Sequence, residues 1–350
     1  MAMPMVTMQE AELLALATGA LVGLGLSRED AGDAARILVL GDLFGITTHG
    51  VSRLESYGER LELGGINPRP DIRVEKVAAT IAKVDGDNGV GTLVGYRALQ
   101  AAMSMARESG TGIVFARSSN HFGPIAPYGY LAAQEGFASI IGSNSSPTMA
   151  PTGGREARVG NSPIGFGIPN PGARPILLDM ASSVVARAKI RDALKARQPI
   201  PETWATDKEG KPTRDPKAAL EGFLLPIGGY KGYGLALIVD LFAGVLSGAA
   251  YLTRVQSWID APEEPQDLGH FFFLIDTARL GDPPWLAARI EDFTDLVRST
   301  PLADASKPIL LPGEIELDKL ERHRREGIPI EVHLRDKLIT FAALRQEKAT

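Results

Sequence analysis

The sequence predicts an α/β protein in which helical ends flank a strand-containing middle, and three observations carry that reading. Residues 1–70 show only helix-type apolar spacing; from Asp71 onward short apolar runs alternate with helical stretches; and 38 glycines with 24 prolines supply the many tight turns a layered chain needs. These changes in pattern divide the chain into 1–70, 71–283 and 284–350.

Taken in order, Thr7 to Leu24 and Ser27 to Phe44 read as helices. Ser27 followed by Asp30 is a capping-box pattern, and Ala31, Ala34, Ala35 and Leu38 line one face. Next comes Asp42 to Tyr57, DLFGITTHGVSRLESY, which spaces His49, Arg53 and Tyr57 at i, i+4 and i+8. On a helix that Thr47 or Thr48 starts and Gly64-Gly65 ends, those three side chains share one stripe. Val51, Leu54, Gly58 and Leu61 form a second stripe suited to a core. The polar stripe is either a solvated face or a receptor for a small carboxylate. In the second case the helix N-terminus and the guanidinium favour an anion, and the imidazole exchanges a proton near neutral pH.

GGINPRP at 64–70 breaks the helical pattern. Beyond it, Ala79 to Asp85, Gly112 to Phe115 and Phe137 to Ile141 read as strands, with helices over Thr92 to Glu108 and Ile125 to Gln134. Gly89, Gly91 and Gly95 imitate a dinucleotide-binding fingerprint between strand and helix, or form a plain glycine-rich turn; the next strand ends in Arg117 where an acidic residue would hold a ribose. Gly142 to Pro175 is rich in Gly, Pro, Ser and Asn, and its interleaved Ile164, Phe166 and Ile168 argue for an ordered binding loop.

Ile176 to Asp179 reads as a strand ending in a carboxylate, which serves either as a site residue or as a cap for the helix running on to about Lys195. Lys231 opens the apolar helix that follows GGYKG at 228–232. A cation there is either plainly exposed or placed opposite a bound anion. His270 to Asp276 reads as a strand, and Trp285 to Arg298, Glu314 to Arg325 and Val332 to Arg345 as helices.

Composition excludes several classes of function. A net charge of −5 without a Lys/Arg block leaves no footprint for nucleic acid or an anionic membrane. The absence of cysteine excludes disulfides and thiolate chemistry and suits a cytoplasmic setting. Leu13 to Leu26 lacks the basic flank of a signal peptide, and Tyr233 to Leu252 carries Asp240 near its middle, so both read as core. Five histidines without an HxH or HExxH pairing do not suggest a metal site.

THGVSRLESY at 48–57, SNHFG at 119–123, GSNSSP at 142–147, LDMASS at 178–183 and GGYKGYG at 228–234 together resemble the malate/L-lactate dehydrogenase family. The resemblance runs in the same order over nearly the whole chain. It implies a non-Rossmann, sulfolactate dehydrogenase-like fold that binds NAD or NADP, with a helical domain built from both termini, and it makes the Gly89/Gly91/Gly95 pattern a decoy. A homodimer with the active site near the subunit interface is implied as well.

Carried over by position, His49 matches a proton-donating histidine, His121 a second histidine treated as catalytic in some members, and Asp179 the carboxylate paired with the catalytic histidine. Arg53 matches a carboxylate-binding arginine, with Tyr57 beside it and Thr48 in place of a more usual serine. Ser145, Asp179, Met180, Ala181, Lys231, Gly232 and the Pro312-Gly313-Glu314 turn match cofactor-side segments, as His121 does in part. The implied reaction is hydride transfer between the nicotinamide and a carbon next to a carboxylate, C=O or C=N, with His49 supplying the proton. The alternatives are a reductase of cyclic imino acids and a small-molecule binding protein that has lost turnover.

Overall fold

A computed structural model describes residues 4–347. The chain runs β1 (Met5–Met8), α1 (Glu10–Gly23), α2 (Arg28–Leu43), a single 3-10 turn (Thr47–His49) and α3 (Arg53–Leu63). Ser27 caps α2 by accepting the Asp30 amide at 3.1 Å. Gly64, at φ 85°, ends α3 in the left-handed conformation that glycine adopts without strain.

The middle of the chain follows as β2 (Arg73–Ala78), β3 (Ile81–Asp85), α4 (Gly91–Ser109), β4 (Thr111–Ser119), α5 (Ala126–Gln134) and β5 (Phe137–Ser143). The Gly/Ser/Pro-rich run then holds β6 (Pro147–Met149), β7 (Val159–Gly160) and β8 (Ile164–Ile168), so the alternating Ile164, Phe166 and Ile168 form a strand. After β9 (Ile176–Met180) come α6 (Arg187–Ala196), α7 (Pro216–Glu221) and α8 (Tyr230–Asp240). A π-helical turn over Leu241–Leu246 leads on from α8, and β10 (Leu268–Asp276) and α9 (Pro283–Arg298) follow. The chain closes with α10 (Glu314–Glu326), β11 (Ile328–Glu331) and α11 (Val332–Glu347).

Two expected helices are shorter than their spacing suggests. The first begins at Glu10 because Met5–Met8 pairs antiparallel with Ile328–Glu331, a partner at the far end of the chain. The apolar stretch to Leu252 stops at the π-helical turn, after which the chain reverses and the Leu252 amide reaches the buried Asp240 carboxylate at 3.0 Å.

Seven strands form one sheet in the order β2-β3-β4-β10-β5-β8-β9. Only β3 and β4 are parallel, joined by the α4 crossover; every other neighbour is antiparallel. The reason is β10, which inserts between β4 and β5 from far along the sequence. Its run LGHFFFLID is nearly all apolar because the strand is covered on both faces.

One apolar core joins helices from both ends of the chain, with Leu13, Leu21, Leu38, Leu43 and Leu338 fully buried. A second lies between the sheet and α4 and α5, around Leu99, Val114 and Phe272. Each such side chain stabilises the fold by about 1.5–3 kcal/mol. The fingerprint-like glycines serve this packing: a Cβ on Gly91 would lie 2.0 Å from the Asn120 carbonyl oxygen, and one on Gly95 2.7 Å from the Tyr128 hydroxyl. No helix among the described residues is long and apolar enough to cross a membrane.

Arg60, on the inner face of α3, is 1% exposed and has no carboxylate partner among the described residues. Its donors reach five neutral acceptors: Asn120 Oδ1 at 2.7 Å, Gln266 Oε1 at 3.2 Å, and the carbonyls of Gly65, Glu264 and Pro262 at 2.9, 2.7 and 3.2 Å. Burial lowers its pKa to about 10, which leaves it charged at neutral pH. One guanidinium therefore ties α3 to the end of β4 and to the segment entering β10. Arg60→Lys keeps the charge but not the fork, and by stranding buried acceptors it is expected to cost about 3 kcal/mol or more, read as the loss in chemical-denaturation stability.

Candidate active site

His49 does not lie on the same helix as Arg53 and Tyr57, contrary to the spacing. It ends the Thr47–His49 turn, and α3 starts only at Arg53; neither Thr47 nor Thr48 caps that helix. The cause is Asp42, buried near the end of α2. Its Oδ2 accepts the Val51 amide at 2.8 Å, and its carboxylate occupies the place where a Cβ on Gly50 would sit, 2.1 Å from Oδ1. The chain is drawn into a tight turn there, and the helix begins after it.

The three side chains still converge, around His121. The His49 and His121 rings lie 5.3 Å apart, and the Tyr57 hydroxyl sits 2.7 Å from His121 Nδ1. That hydroxyl also donates to the His121 carbonyl at 2.9 Å. The Gly123 amide reaches the same Nδ1 at 3.4 Å, so that nitrogen is shared between the phenol and the backbone. Thr48 Oγ1 lies 2.9 Å from His49 Nδ1 and orients that ring.

Sequence reasoning missed Trp258. Its indole stacks on His121 with centroids 5.0 Å apart, and the Arg53 guanidinium lies over the indole at 4.8 Å. Arg53 Nε is buried without a hydrogen-bond partner. A buried guanidinium donor left unpaired is costly, and an anionic ligand oxygen supplies what it lacks.

Burial sets the electrostatics of this cluster. It lowers the His49 pKa to about 4, with the Arg53 charge as the second cause. His121 is pushed well below its ordinary value by burial, then by Arg53 and His49. Tyr57 is pushed up by burial and stays a phenol. Burial also lowers Arg53, and the charge of Arg191 on α6 opposes it further. Both imidazoles are thus neutral at pH 7 beside a cation awaiting an anion.

Asp179, at the end of β9, is pushed up to about 6 by burial, against the pull of two amide hydrogen bonds. Those bonds come from Ile125 and Ala126, each at 2.9 Å to Oδ2, so Asp179 holds the start of α5 directly after the SNHFG segment. It makes no hydrogen bond or ion pair with His49 among the described residues, and the expected pairing of the two is unmade in this geometry.

The segments expected on the cofactor side gather around β9. Ser145 donates to Asn161 Oδ1 at 3.0 Å, the Asn161 carbonyl accepts the Ser182 amide, and the Ser182 carbonyl accepts the Ile227 amide. Met180 and Ala181 thereby lie beside the loop that leads into α8. There Gly228 and Gly229 both have positive φ, and a Cβ on Gly232 would meet the Ile227 carbonyl at 2.3 Å. Lys231 is exposed on the first turn of α8 and has no ion-pair partner among the described residues. On the opposite side of β9 the Pro312 carbonyl accepts the Leu177 amide, and Gly313 packs on Leu177. Glu314 is committed to Arg298 and to the Leu311 amide. A free cation at a glycine-bordered helix start fits a phosphate-bearing cofactor.

A neutral imidazole beside a guanidinium with an unpaired donor is equipped to bind a small anion and to exchange a proton with it. A family model described as malate/L-lactate dehydrogenase matches residues 8–339, and the chain belongs to that family. It is an NAD(P)-dependent dehydrogenase. The L-sulfolactate dehydrogenase of Methanocaldococcus jannaschii is 38% identical over 314 residues, 90% of each chain. A solved sulfolactate dehydrogenase structure from that organism matches with a TM-score of 0.88 over 96% of both chains. The NAD(+) ureidoglycolate dehydrogenase of Escherichia coli K12 is 32% identical over 91% of this chain and 90% of its own. A Δ1-piperideine-2-carboxylate reductase structure from Pseudomonas syringae is 28% identical, with a TM-score of 0.86 over 96% of this chain and 99% of its own.

The depressed His49 pKa has a pH signature. An unfolded histidine takes its proton near 6.5 and the folded one only near 4, so its contribution to stability is full above pH 6.5 and is lost as pH falls toward 4. In an NMR titration the His49 ring is expected to titrate near pH 4. Arg53→Gln is expected to move that value upward, yet keep it under 6.5, because burial is the larger cause.

Proposed function

We propose that the protein interconverts a short 2-hydroxy acid and its 2-oxo acid, of the malate, lactate or sulfolactate kind, with His49 moving the proton. The observation that carries this reading is the pairing of a neutral His49 with the buried, partnerless Nε of Arg53 in one cluster. NAD or NADP, when bound, takes up or supplies the hydride at the carbon next to the carboxylate.

Arg53 binds the substrate carboxylate along its edge and so aims that carbon. Binding also cancels the positive charge that depresses His49, which makes the imidazole a stronger base where the hydroxyl proton must leave. In the reverse direction His49 returns that proton to the carbonyl oxygen. His121, fixed by Tyr57, lies against His49 and walls the site from water. Asp179 keeps the His121 segment in place through the start of α5. Ser145, Met180, Ala181, Lys231, Gly232 and the Pro312–Glu314 turn hold the cofactor, with Lys231 for its phosphate. Arg191, whose charge is felt at Arg53, favours a second negative group on the substrate.

A cyclic imino acid is the second reading, favoured by the likeness to the piperideine-2-carboxylate reductase. It presents the same carboxylate to Arg53 and a C=N carbon in place of C=O. We further propose a cytoplasmic homodimer. Ile238, Leu241 and Val245 are 51%, 48% and 46% exposed along one stripe of α8 and the π-helical turn, an apolar surface that a second copy would cover.

Loss of NADH or NADPH absorbance with a panel of 2-oxo acids and cyclic imino acids tests the reaction; tight cofactor binding without turnover on any of them would overturn it. His49→Ala is expected to lose about 10²–10⁴ in rate with cofactor affinity nearly intact. Arg53→Lys, which keeps the charge without the fork, is expected to raise KM about tenfold and to change kcat little, measured by initial rates.

A further inference from the structure

We infer that Trp258 is a specificity-determining residue that limits the site to acids with a small group on C3, a conclusion resting on the reaction proposed above. Its indole packs on both His121 and Arg53, at 5.0 and 4.8 Å between centres. The rings of His49, His121 and Trp258 follow one another, since His49 lies 5.3 Å from His121.

The Arg53 guanidinium carbon sits over the indole at 4.8 Å, so the indole closes that side of Arg53 and a carboxylate is best held along the guanidinium's edge. A carboxylate held that way is coplanar with the guanidinium. The carbon it carries then lies between His49 and the indole, and whatever C3 bears extends against the ring. A hydrogen, a hydroxyl or a compact anionic group fits that gap; a branched or aromatic group does not.

The wall is fixed on both sides. Ser257 Oγ donates to Asp260 Oδ2 at 2.6 Å and accepts the Asp260 amide at 3.2 Å, so the turn carrying Trp258 is closed on itself. Just beyond it, Arg60 holds the Pro262 and Glu264 carbonyls. An indole on so constrained a turn is a permanent boundary of the site.

The test is a rate series with pyruvate, oxaloacetate, 2-oxoisovalerate and phenylpyruvate, using the preferred nicotinamide cofactor, on wild type, Trp258→Phe and Trp258→Ala. Wild type is expected to favour the two smaller acids by at least about tenfold in kcat/KM. Trp258→Ala is expected to shift the ratio of phenylpyruvate to the better small acid at least about tenfold toward phenylpyruvate. Its KM for the small acids should rise several-fold, with a smaller change in kcat, because the carboxylate clamp loosens while the proton transfer is untouched. Trp258→Phe is expected to fall between, and it carries the test should the alanine variant fail to fold by circular dichroism. Folded variants that keep the wild-type ratio, or a wild type that already accepts phenylpyruvate as well as the small acids, would overturn this inference alone. A wild type inactive on all four would overturn the proposed reaction, and this inference with it.

Discussion

The architecture of the site hangs on a buried cation that has no anion beside it among the described residues. Arg60 takes five neutral oxygens from three separate parts of the chain, and two of those parts adjoin the proposed site. Asn120 adjoins His121; Gln266, which also accepts the His121 amide at 3.3 Å, ends the segment that brings in Trp258. Desolvating an arginine is expensive, and only a full set of acceptors offsets it. Such an arrangement tolerates little displacement, and that is its use: the rings stacked around His121 sit where a guanidinium dictates.

Placing Arg53 close to two histidines looks unfavourable for a proton-transfer site, since it suppresses protonation of both. The arrangement makes sense when the ligand is counted as part of the electrostatics. In the proposed reaction, an anion clamped at Arg53 would remove that opposing charge, so proton affinity at His49 would rise with binding. Burial remains the larger cause of the depressed His49 pKa, and the Arg53 charge adds to it.

Much of this was legible in the sequence where the physics is local. Ser27 capped the helix it was expected to cap, Gly64 ended the next, and the alternation of Ile164, Phe166 and Ile168 became a strand. His49, Arg53 and Tyr57 were singled out by helical spacing, yet the helix starts after His49, because the Asp42 carboxylate captures the Val51 amide and forces a turn. A carboxylate at the end of one helix does not announce which later amide it will take. Trp258 and Arg60 lay out of reach for the same reason. Their partners are far away in the chain, and neither an indole after a serine nor an arginine between Tyr57 and Leu61 carries a periodic signal. The Ser145, Asp179 and Lys231 segments were linked only by resemblance; that they gather around β9 follows from amide bonds through Asn161 and Ser182 that no spacing encodes.

The late insertion of β10 has a consequence for biosynthesis. β4 and β5 both need it as a neighbour, but β5 is complete at Ser143 while β10 spans Leu268–Asp276. At ribosomal speeds of about 5–20 residues per second, the gap between them lasts on the order of ten seconds. Throughout that interval the nascent chain exposes two unpaired strand edges flanking an empty slot, with Phe115 and Ile141 among their side chains. That interval, more than any weakness of the finished sheet, is when the polypeptide is open to pairing with a stranger and has most need of a chaperone.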